Sequence, residues 1–119
     1  MDKIRSYKDL NIWNKGITIV EEIYTITKKF PEEERYSLVL QMRKAAVSIP
    51  SNIAEGFARQ HDKEYKYFLY IALGSCSELI TQLIISFKLK YIESEKQISM
   101  ENDLDYLSKM IMSLIKKIR

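Results

Sequence analysis

A proline lies among small residues in the middle of a stretch that otherwise has the pattern of an α-helix, residues 45–56. Proline inside a helix removes one backbone hydrogen bond and crowds the carbonyl group four residues earlier, at a cost of about 3 kcal/mol. We therefore expect Pro50 to be supported by tightly packed neighbours. The stretch is typical of a helix-packing site and not of an active site.

The chain contains few residues that break helices. It has three glycines and two prolines in 119 residues, and 46% of its residues are hydrophobic. This composition indicates long helices in a single domain, residues 1–119. The one cysteine, Cys76, cannot form an internal disulfide and lies in an apolar stretch, which favours a buried thiol in the reducing cytoplasm. The first residues lack the apolar segment of a signal peptide.

Capping signals divide the chain into four helices. Ser6–Asp9 and Ser94–Gln97 have the form of capping boxes, and Asp62 is a suitable N-cap. The predicted helices run from Ser6 to about Lys29, from about Glu33 to Ala58, from about Lys63 to Lys90, and from about Glu95 to the end. Short connections make successive helices antiparallel, which predicts an all-α, up-down-up-down four-helix bundle.

The first helix carries two apolar series, which together cover about 200° of its surface against about 100° for an ordinary one-sided helix. We assign the first series to the core: Leu10, Trp13, Ile17, Val20 and Tyr24. The second series contains the candidate oligomer interface: Ile12, Ile19, Ile23 and Ile26. Self-association would cover this second face, because large apolar patches are rarely exposed on monomers. Burial by the three neighbouring helices is the alternative.

The third helix contains 21 residues, from Tyr67 to Phe87, whose only charged side chain is Glu78. A carboxylate in the middle of a bilayer costs a few kcal/mol, and five serine, threonine and glutamine side chains accompany it. We therefore expect a helix buried in protein and no membrane contact.

A structural ion pair is predicted between the second and third helices. If these helices form a hairpin that turns near His61, Arg43 and Glu78 lie at the same height. A lone buried carboxylate is costly without a cation, so we expect the two side chains to pair. The same arrangement places Gly74 opposite the residues before Pro50, where a missing side chain would allow close approach of the backbones. A catalytic role for Glu78 is the alternative.

No pattern of catalytic or metal-binding residues is present. His61 is the only histidine, which excludes H-E-x-x-H motifs, and neither a P-loop nor a dinucleotide-binding glycine pattern occurs. We expect a non-enzymatic protein without cofactor or metal.

Positive charge is concentrated at one end of the predicted bundle. The start of the first helix, the turn between the second and third, and the C-terminus meet there. Nine cations face four carboxylates at this end, compared with six cations and five carboxylates at the other. The candidate nucleic-acid-binding residues are Lys3, Arg5, Lys8, Arg59, Lys63, Lys66, Lys116, Lys117 and Arg119.

Tyrosines are interleaved with these cations, at Tyr65, Tyr67 and Tyr70. Cations bind phosphates and aromatic rings stack on bases, so this end is a candidate surface for RNA or DNA. The alternative is structural, because cations at helix C-termini complement the helix dipole and tyrosines pack in bundles.

The stretch from Gln41 to Gly56, followed by Tyr67-Phe68, Ala72-Leu73-Gly74-Ser75 and Glu78-Leu79, closely resembles the four-helix-bundle proteins encoded in 23S rRNA intervening sequences. The resemblance extends over almost the whole chain and includes Tyr7–Leu10. This family is similar to the accessory variability determinant protein of diversity-generating retroelements, a basic pentameric barrel that partners a reverse transcriptase and nucleic acid.

The resemblance implies a homo-oligomer, with a pentamer favoured, and a role with RNA or DNA, but no established reaction. Two functions follow as hypotheses. The first is an oligomeric nucleic-acid-binding accessory protein; the second is an oligomeric scaffold with a protein partner, in which the basic end serves solubility only. A nuclease is a third possibility, for which the chain offers no metal ligands.

Overall fold

The computed structural model describes residues 4–119. This part of the chain forms four α-helices: α1 (Asn11–Thr27), α2 (Leu38–Arg59), α3 (Asp62–Lys88) and α4 (Ser94–Lys117). Short 3₁₀ turns at Tyr7–Asp9 and Glu32–Glu34 precede α1 and α2. No β-strand occurs between residues 4 and 119, so the all-α prediction is confirmed.

Contacts between α1 and α4 show that the two helices run in opposite directions. Near the start of α4, Lys96 Nζ lies 3.8 Å from Glu22 Oε2. Farther along α4, the Tyr106 ring lies under the ammonium group of Lys15, which is 5.2 Å from the ring centre. The C-terminal end of α4 therefore lies beside the start of α1.

Contacts between α2 and α3 have the same antiparallel order. The hydroxyl of Ser86 lies 3.4 Å from the sulfur of Met42 near the start of α2. The hydroxyls of Ser48 and Ser75 lie 2.8 Å apart near the middle of both helices. Together with the short connections, these contacts establish the predicted up-down-up-down four-helix bundle.

The predicted capping box at Ser6 forms, but it caps a 3₁₀ turn. The Ser6 hydroxyl accepts from the Lys8 N–H at 3.2 Å, and Asp9 Oδ2 accepts from the Ser6 N–H at 3.1 Å. The α-helix starts only at Asn11, after Leu10 in an extended conformation. The capping pattern located the turn correctly, and the helix begins five residues later than predicted.

The predicted capping box at Ser94 does not form. Glu93 is the N-cap residue and makes no side-chain cap hydrogen bond, and Ser94 is already helical. The N-cap of α3 is likewise one residue earlier than predicted, at His61 instead of Asp62. Both helices nevertheless begin within one residue of their predicted start. The position of the connecting turn therefore sets where each helix begins, even without a side-chain cap hydrogen bond.

The predicted oligomer interface on the first helix is wrong for three of its four residues. Ile12, Ile19 and Ile23 are at most 5% exposed and belong to the core of the bundle, while Ile26 is partly buried against that core. Apolar spacing shows that two faces of α1 are covered, but it does not show which of them points at α2, α3 and α4. Ile12, Ile19 and Ile23 are therefore used within the monomer, whereas Ile26 keeps part of its surface exposed.

The other apolar series of α1 forms a groove with α2 on the outside of the bundle. Trp13, Ile17 and Val20 are partly buried, and Tyr24 is 39% exposed. The outer groove, as we call this surface, is lined by apolar, polar and charged residues: Tyr7, Trp13, Ile17, Val20, Tyr24, Leu40, Arg43, Lys44, Val47, Ser48, Pro50, Ser51 and Ala54. It comprises two adjoining cavities of about 260 and 610 Å³ that share Val47 and Ser51.

By length and hydropathy alone, α3 is the one helix in the described part of the chain that could cross a membrane. Leu69, Leu79 and Leu83 on its inner face are fully buried among the other helices. Its outer face is exposed but nearly uncharged, with Tyr67, Tyr70, Gly74, Ser77, Glu78, Thr81 and Ile85. The low charge of α3 thus has two origins, a core face and a neutral solvent face.

Candidate nucleic-acid interface

The antiparallel topology brings three segments of the chain to one end of the bundle, which we call the basic end. These segments are the 3₁₀ turn before α1, the connection between α2 and α3, and the last turn of α4. Eight of the nine predicted binding residues are described there: Arg5, Lys8, Arg59, Lys63, Lys66, Lys116, Lys117 and Arg119. Lys3 lies outside the described residues.

Most of these cations are free to meet a ligand. All except the partly buried Lys66 are exposed. Within residues 4–119, only Arg59 among the eight forms an ion pair. Lys116 and Lys117 lie in the last turn of α4, where their charge also complements the helix dipole.

Arg59 differs from the other cations because its guanidinium is already occupied. Its Nε donates to Glu55 at 2.9 Å and its NH1 donates to Glu64 at 3.3 Å. The same group lies 5.1 Å from the ring centre of Phe68. Arg59 therefore joins α2 to the start of α3, and its charge is already paired with two carboxylates.

The nearby carboxylates take up little of the remaining charge. Asp9 accepts from the backbone N–H groups of Arg5 and Ser6, at 2.9 and 3.1 Å, and Glu64 pairs with Arg59. Asp62 is exposed in the first turn of α3, where a negative charge favours the helix. The basic end thus keeps an excess of positive charge that is open to solvent.

Two of the three predicted tyrosines are exposed beside this charge. Tyr67 and Tyr70 are 62% and 53% exposed, so their ring faces can be reached. Tyr65 is partly buried, with its ring 6.0 Å from that of Phe57, and burial raises the pKa of its phenol. Only Tyr67 and Tyr70 have the exposure that stacking on bases requires.

The predicted pair between Arg43 and Glu78 does not form. Glu78 is exposed on the outer face of α3. The Nε of Arg43 donates to Thr27 Oγ1 at 3.0 Å, and its guanidinium carbon lies 4.4 Å from the centre of the Tyr24 ring. The prediction placed the two residues at a similar height but took the whole uncharged segment as buried, whereas one side of it faces solvent.

The predicted close approach at Gly74 is also wrong. Gly74 is exposed, and a Cβ atom built there would meet nothing within 4 Å. Pro50 instead packs against Gly16 of α1, where a Cβ would lie 3.3 Å from Pro50 Cβ and Cδ. Pro50 is buried inside α2, as expected for a supported proline, but its small neighbour is on the first helix and not on the third.

A hydroxyl and amide network between α2 and α3 was not anticipated from the sequence. Ser48 and Ser75 share a hydrogen bond, and the side-chain amide of Asn52 donates at 2.8 Å to both the hydroxyl and the carbonyl oxygen of Ser48. The signal was available: Ser48 and Asn52 are one helical turn apart, beside Pro50 in the small-residue stretch. These side chains satisfy one another between two packed helices, so their role is structural.

No metal-binding cluster is found in the part of the chain that the structure describes. No group of three or more histidine, cysteine, aspartate or glutamate side chains is placed to hold a metal ion. Cys76 is fully buried, and burial raises the pKa of its thiol to about 11 against the opposing influence of Ser108. A thiol with that pKa is a poor nucleophile at neutral pH.

The fold and surface define a class of protein: an antiparallel four-helix bundle with one basic end. The profile of the 23S rRNA-intervening sequence protein family matches residues 8–113. The chain belongs to this family, which confirms the resemblance in its sequence.

Comparison with solved structures supports the same assignment. The chain is similar to a protein of unknown function from the S23 ribosomal protein family of Bacteroides thetaiotaomicron VPI-5482. The two are 25% identical, with a TM-score of 0.81 over 88% of this chain and 95% of the other. A comparison with curated proteins found no match.

Proposed function

We propose that this protein is a non-enzymatic, cytoplasmic homo-oligomer that binds RNA or DNA through its basic end. The observation that carries the proposal is the convergence of seven cations without ion pairs in the described structure, from three separate segments of the chain. Electrostatic attraction to phosphates requires a cluster of this kind and no particular base contacts. The binding residues in this proposal are Arg5, Lys8, Lys63, Lys66, Lys116, Lys117 and Arg119.

The outer groove is the proposed contact between copies. Val47, Leu40 and Tyr24 are 39–41% exposed along it, and the charged side chains of Arg43 and Lys44 line the same part of the groove. Exposed apolar side chains that are grouped in one groove favour contact with another protein surface. A second copy would cover it, and a ring of copies would repeat the basic end around one axis. The family resemblance favours a pentamer.

The second candidate function is a protein-interaction scaffold. The same outer groove favours it, because an apolar groove between two helices is a common docking site for a helix of another protein. In this case the basic end would contribute solubility only, and binding would show little dependence on salt.

The test is binding of labelled structured RNA and of duplex DNA across a salt series, with the mass in solution measured in parallel. The test variant K63Q/K116Q/K117Q removes three exposed cations from the basic end. Its matched control, K29Q/K88Q/K90Q, removes three exposed cations from the opposite end and changes the net charge by the same amount.

We expect wild-type affinity to fall steeply as salt rises, because each neutralised phosphate releases counterions. The test variant should bind more weakly, with a logarithmic salt slope that is smaller by about 2–3, while the control stays close to wild type. An equal loss of affinity in both variants would show that binding depends on net charge alone and not on the basic end. Absence of binding at low salt, with the oligomer intact, would leave the scaffold as the function.

A further inference from the structure

A small cavity with a cationic wall lies in the half of the bundle opposite the basic end. It is open to solvent on one side, is lined by the end of α1, the Glu32–Glu34 turn and the start of α2, and has a volume of about 140 Å³. Phe30 and Val39, both buried, contribute its apolar side. The volume accommodates several water molecules and hence a small polyatomic anion, but not a large organic ligand.

Three cations line this cavity, Lys28, Arg35 and Arg43, together with one carboxylate, Glu32. Glu32 pairs with Arg35, Oε1 to NH1 at 3.2 Å, and this hydrogen bond raises the pKa of the Arg35 guanidinium. Lys28 and Arg43 form no ion pair within residues 4–119. The cavity wall thus carries two more positive charges than negative ones.

Arg43 is fixed in position from two sides. The Thr27 hydroxyl donates its own hydrogen to the Ile23 carbonyl at 2.6 Å, so its oxygen is left to accept from Arg43 Nε at 3.0 Å. The Tyr24 ring lies against the guanidinium, 4.4 Å from its central carbon. Neither contact uses the two terminal nitrogen atoms of Arg43, which make no hydrogen bond in the described structure.

The carbonyl groups at the end of α1 do not accept hydrogen bonds from the terminal nitrogen atoms of Arg43. The Ile26 carbonyl accepts from the Lys29 N–H at 3.3 Å, and the Thr27 carbonyl accepts from the Phe30 N–H at 3.1 Å. A partly buried guanidinium with two free terminal nitrogens is suited to bidentate contact with an oxyanion. Side-chain entropy does not oppose such contact strongly, since Arg43 is already held.

We propose that this cavity is a binding site for a phosphate group, with Arg43 as the bidentate donor and Lys28 as the second cation. A phosphate dianion matches the two uncompensated charges of the wall, whereas a carboxylate would neutralise only one. Arg35 can contribute by turning from Glu32 to the ligand, because both side chains are exposed. The phosphate can be free inorganic phosphate or the terminal phosphate of a polynucleotide.

The first measurement is titration of the whole protein with inorganic phosphate at low ionic strength. Binding is monitored by calorimetry and by ³¹P NMR. We expect saturable binding of phosphate, and we expect no such binding when chloride is titrated to the same ionic strength. R43Q should weaken binding about tenfold or more, because it removes charge-assisted hydrogen bonds. Absence of saturable binding to wild-type protein would overturn the proposal.

Surface variants keep the test independent of folding. K28Q removes a cation of the cavity wall, and K29Q removes its exposed neighbour, which does not line the cavity. We expect K28Q to weaken phosphate binding several-fold and K29Q to leave it unchanged. Equal effects of the two variants would show general charge screening and would refute a defined site. If R43Q does not fold, K28Q/R35Q replaces it.

The source of the phosphate is resolved by competition. A short oligonucleotide with a 5′-phosphate and the same oligonucleotide with a 5′-hydroxyl are added to protein saturated with inorganic phosphate. Displacement by the 5′-phosphorylated form only would assign the site to a polynucleotide end, and displacement by neither would assign it to a small phosphate. The proposal does not rest on the basic end, and K63Q/K116Q/K117Q should retain phosphate binding at the cavity.

Discussion

The Cβ atom that Gly56 lacks would lie 2.9 Å from the Cβ of Phe68, so α2 and α3 touch there through backbone and ring atoms. The same atom would lie 3.1 Å from Tyr65 Cδ1 and 3.2 Å from the Tyr65 carbonyl oxygen. Backbone and Cβ atoms cannot move aside as the end of a flexible side chain can. The hairpin of α2 and α3 therefore depends on a glycine at this position.

Replacement of this glycine by alanine should destabilise the protein. We expect Gly56→Ala to lower the free energy of unfolding by about 1–3 kcal/mol, because the helices must separate to admit the methyl group. Gly74→Ala is the matched control: it meets nothing within 4 Å and should raise that free energy by about 0.5–1 kcal/mol through helix propensity. Urea unfolding measures both, and the same sign for both would contradict the prediction.

Gln82 should be replaceable with a gain in stability. It is 8% exposed on α3, and its Oε1 is the buried side-chain oxygen without a hydrogen-bond partner within residues 4–119. Removal of an unsatisfied buried acceptor is favourable, so Gln82→Met should raise the melting temperature, with a gain of about 1 kcal/mol.

Gln97 offers a control of the same type. It is equally buried, but its Nε2 donates to Glu101 at 2.6 Å. We expect Gln97→Met to lower the free energy of unfolding by about 1 kcal/mol, because this substitution removes a hydrogen bond, whereas Gln82→Met removes an unpaired acceptor. A loss of stability in the Gln82 variant equal to that in the Gln97 variant would show that Gln82 is satisfied in solution.

The Cys76 thiol should make stability depend on pH at the alkaline end. Burial raises its pKa to about 11 in the folded protein from about 9 for an accessible thiol. Above pH 9 the unfolded chain releases this proton while the folded chain retains it, so stability falls as pH rises from about 9 to 11. The full effect is about 2–3 kcal/mol, at 1.36 kcal/mol for each unit of pKa difference.

Comparison with Cys76→Ala isolates this contribution, since lysine and tyrosine side chains titrate in both proteins. We expect the stability of wild type relative to Cys76→Ala to fall by about 2 kcal/mol from pH 8 to pH 11. A difference that stays constant with pH would show that the thiol ionises equally in both states. A slow reaction with a thiol reagent at pH 8 provides a second reading of the same burial.

A charge in the outer groove should prevent assembly of copies. Val47 is 40% exposed, so Val47→Lys is expected to change monomer stability by less than about 0.5 kcal/mol. If the groove joins copies, the variant should sediment as a monomer under conditions in which wild type is an oligomer. Ile98→Lys places the same charge on an apolar residue of α4 that is 52% exposed and should not alter the mass. An unchanged mass for Val47→Lys would exclude the groove as the contact.

Sequence patterns predicted the elements of the fold better than the directions of their side chains. Helix number, order and approximate bounds follow from apolar spacing and from breaks at residues such as Pro31, which are local properties. The direction in which Glu78 or Ile19 points depends on how α1 and α3 are rotated about their axes. That rotation is decided by packing against three other helices, which no local pattern contains.

For the candidate site too, the sequence predicted the general location better than the individual side-chain contacts. The convergence of cations at one end followed from topology and charge counting, because long exposed side chains need no exact orientation to contribute. The ion pair between Arg59 and Glu64, and the position of Arg43 against Tyr24, depend on distances of a few ångströms between helices. Such contacts become visible only when the relative heights of the helices are known.

The hydroxyl contact between Ser48 and Ser75 has a consequence for how the hairpin of α2 and α3 avoids misalignment. Displacement of α3 by one helical turn, about 5.4 Å, would bring Leu79 opposite Ser48 and break the hydrogen bond between the Ser48 and Ser75 hydroxyls. Apolar surfaces alone tolerate such sliding, because an apolar side chain one turn farther along can occupy the same contact. A pair of hydroxyl groups among apolar residues thus selects a single alignment from several that would bury similar area.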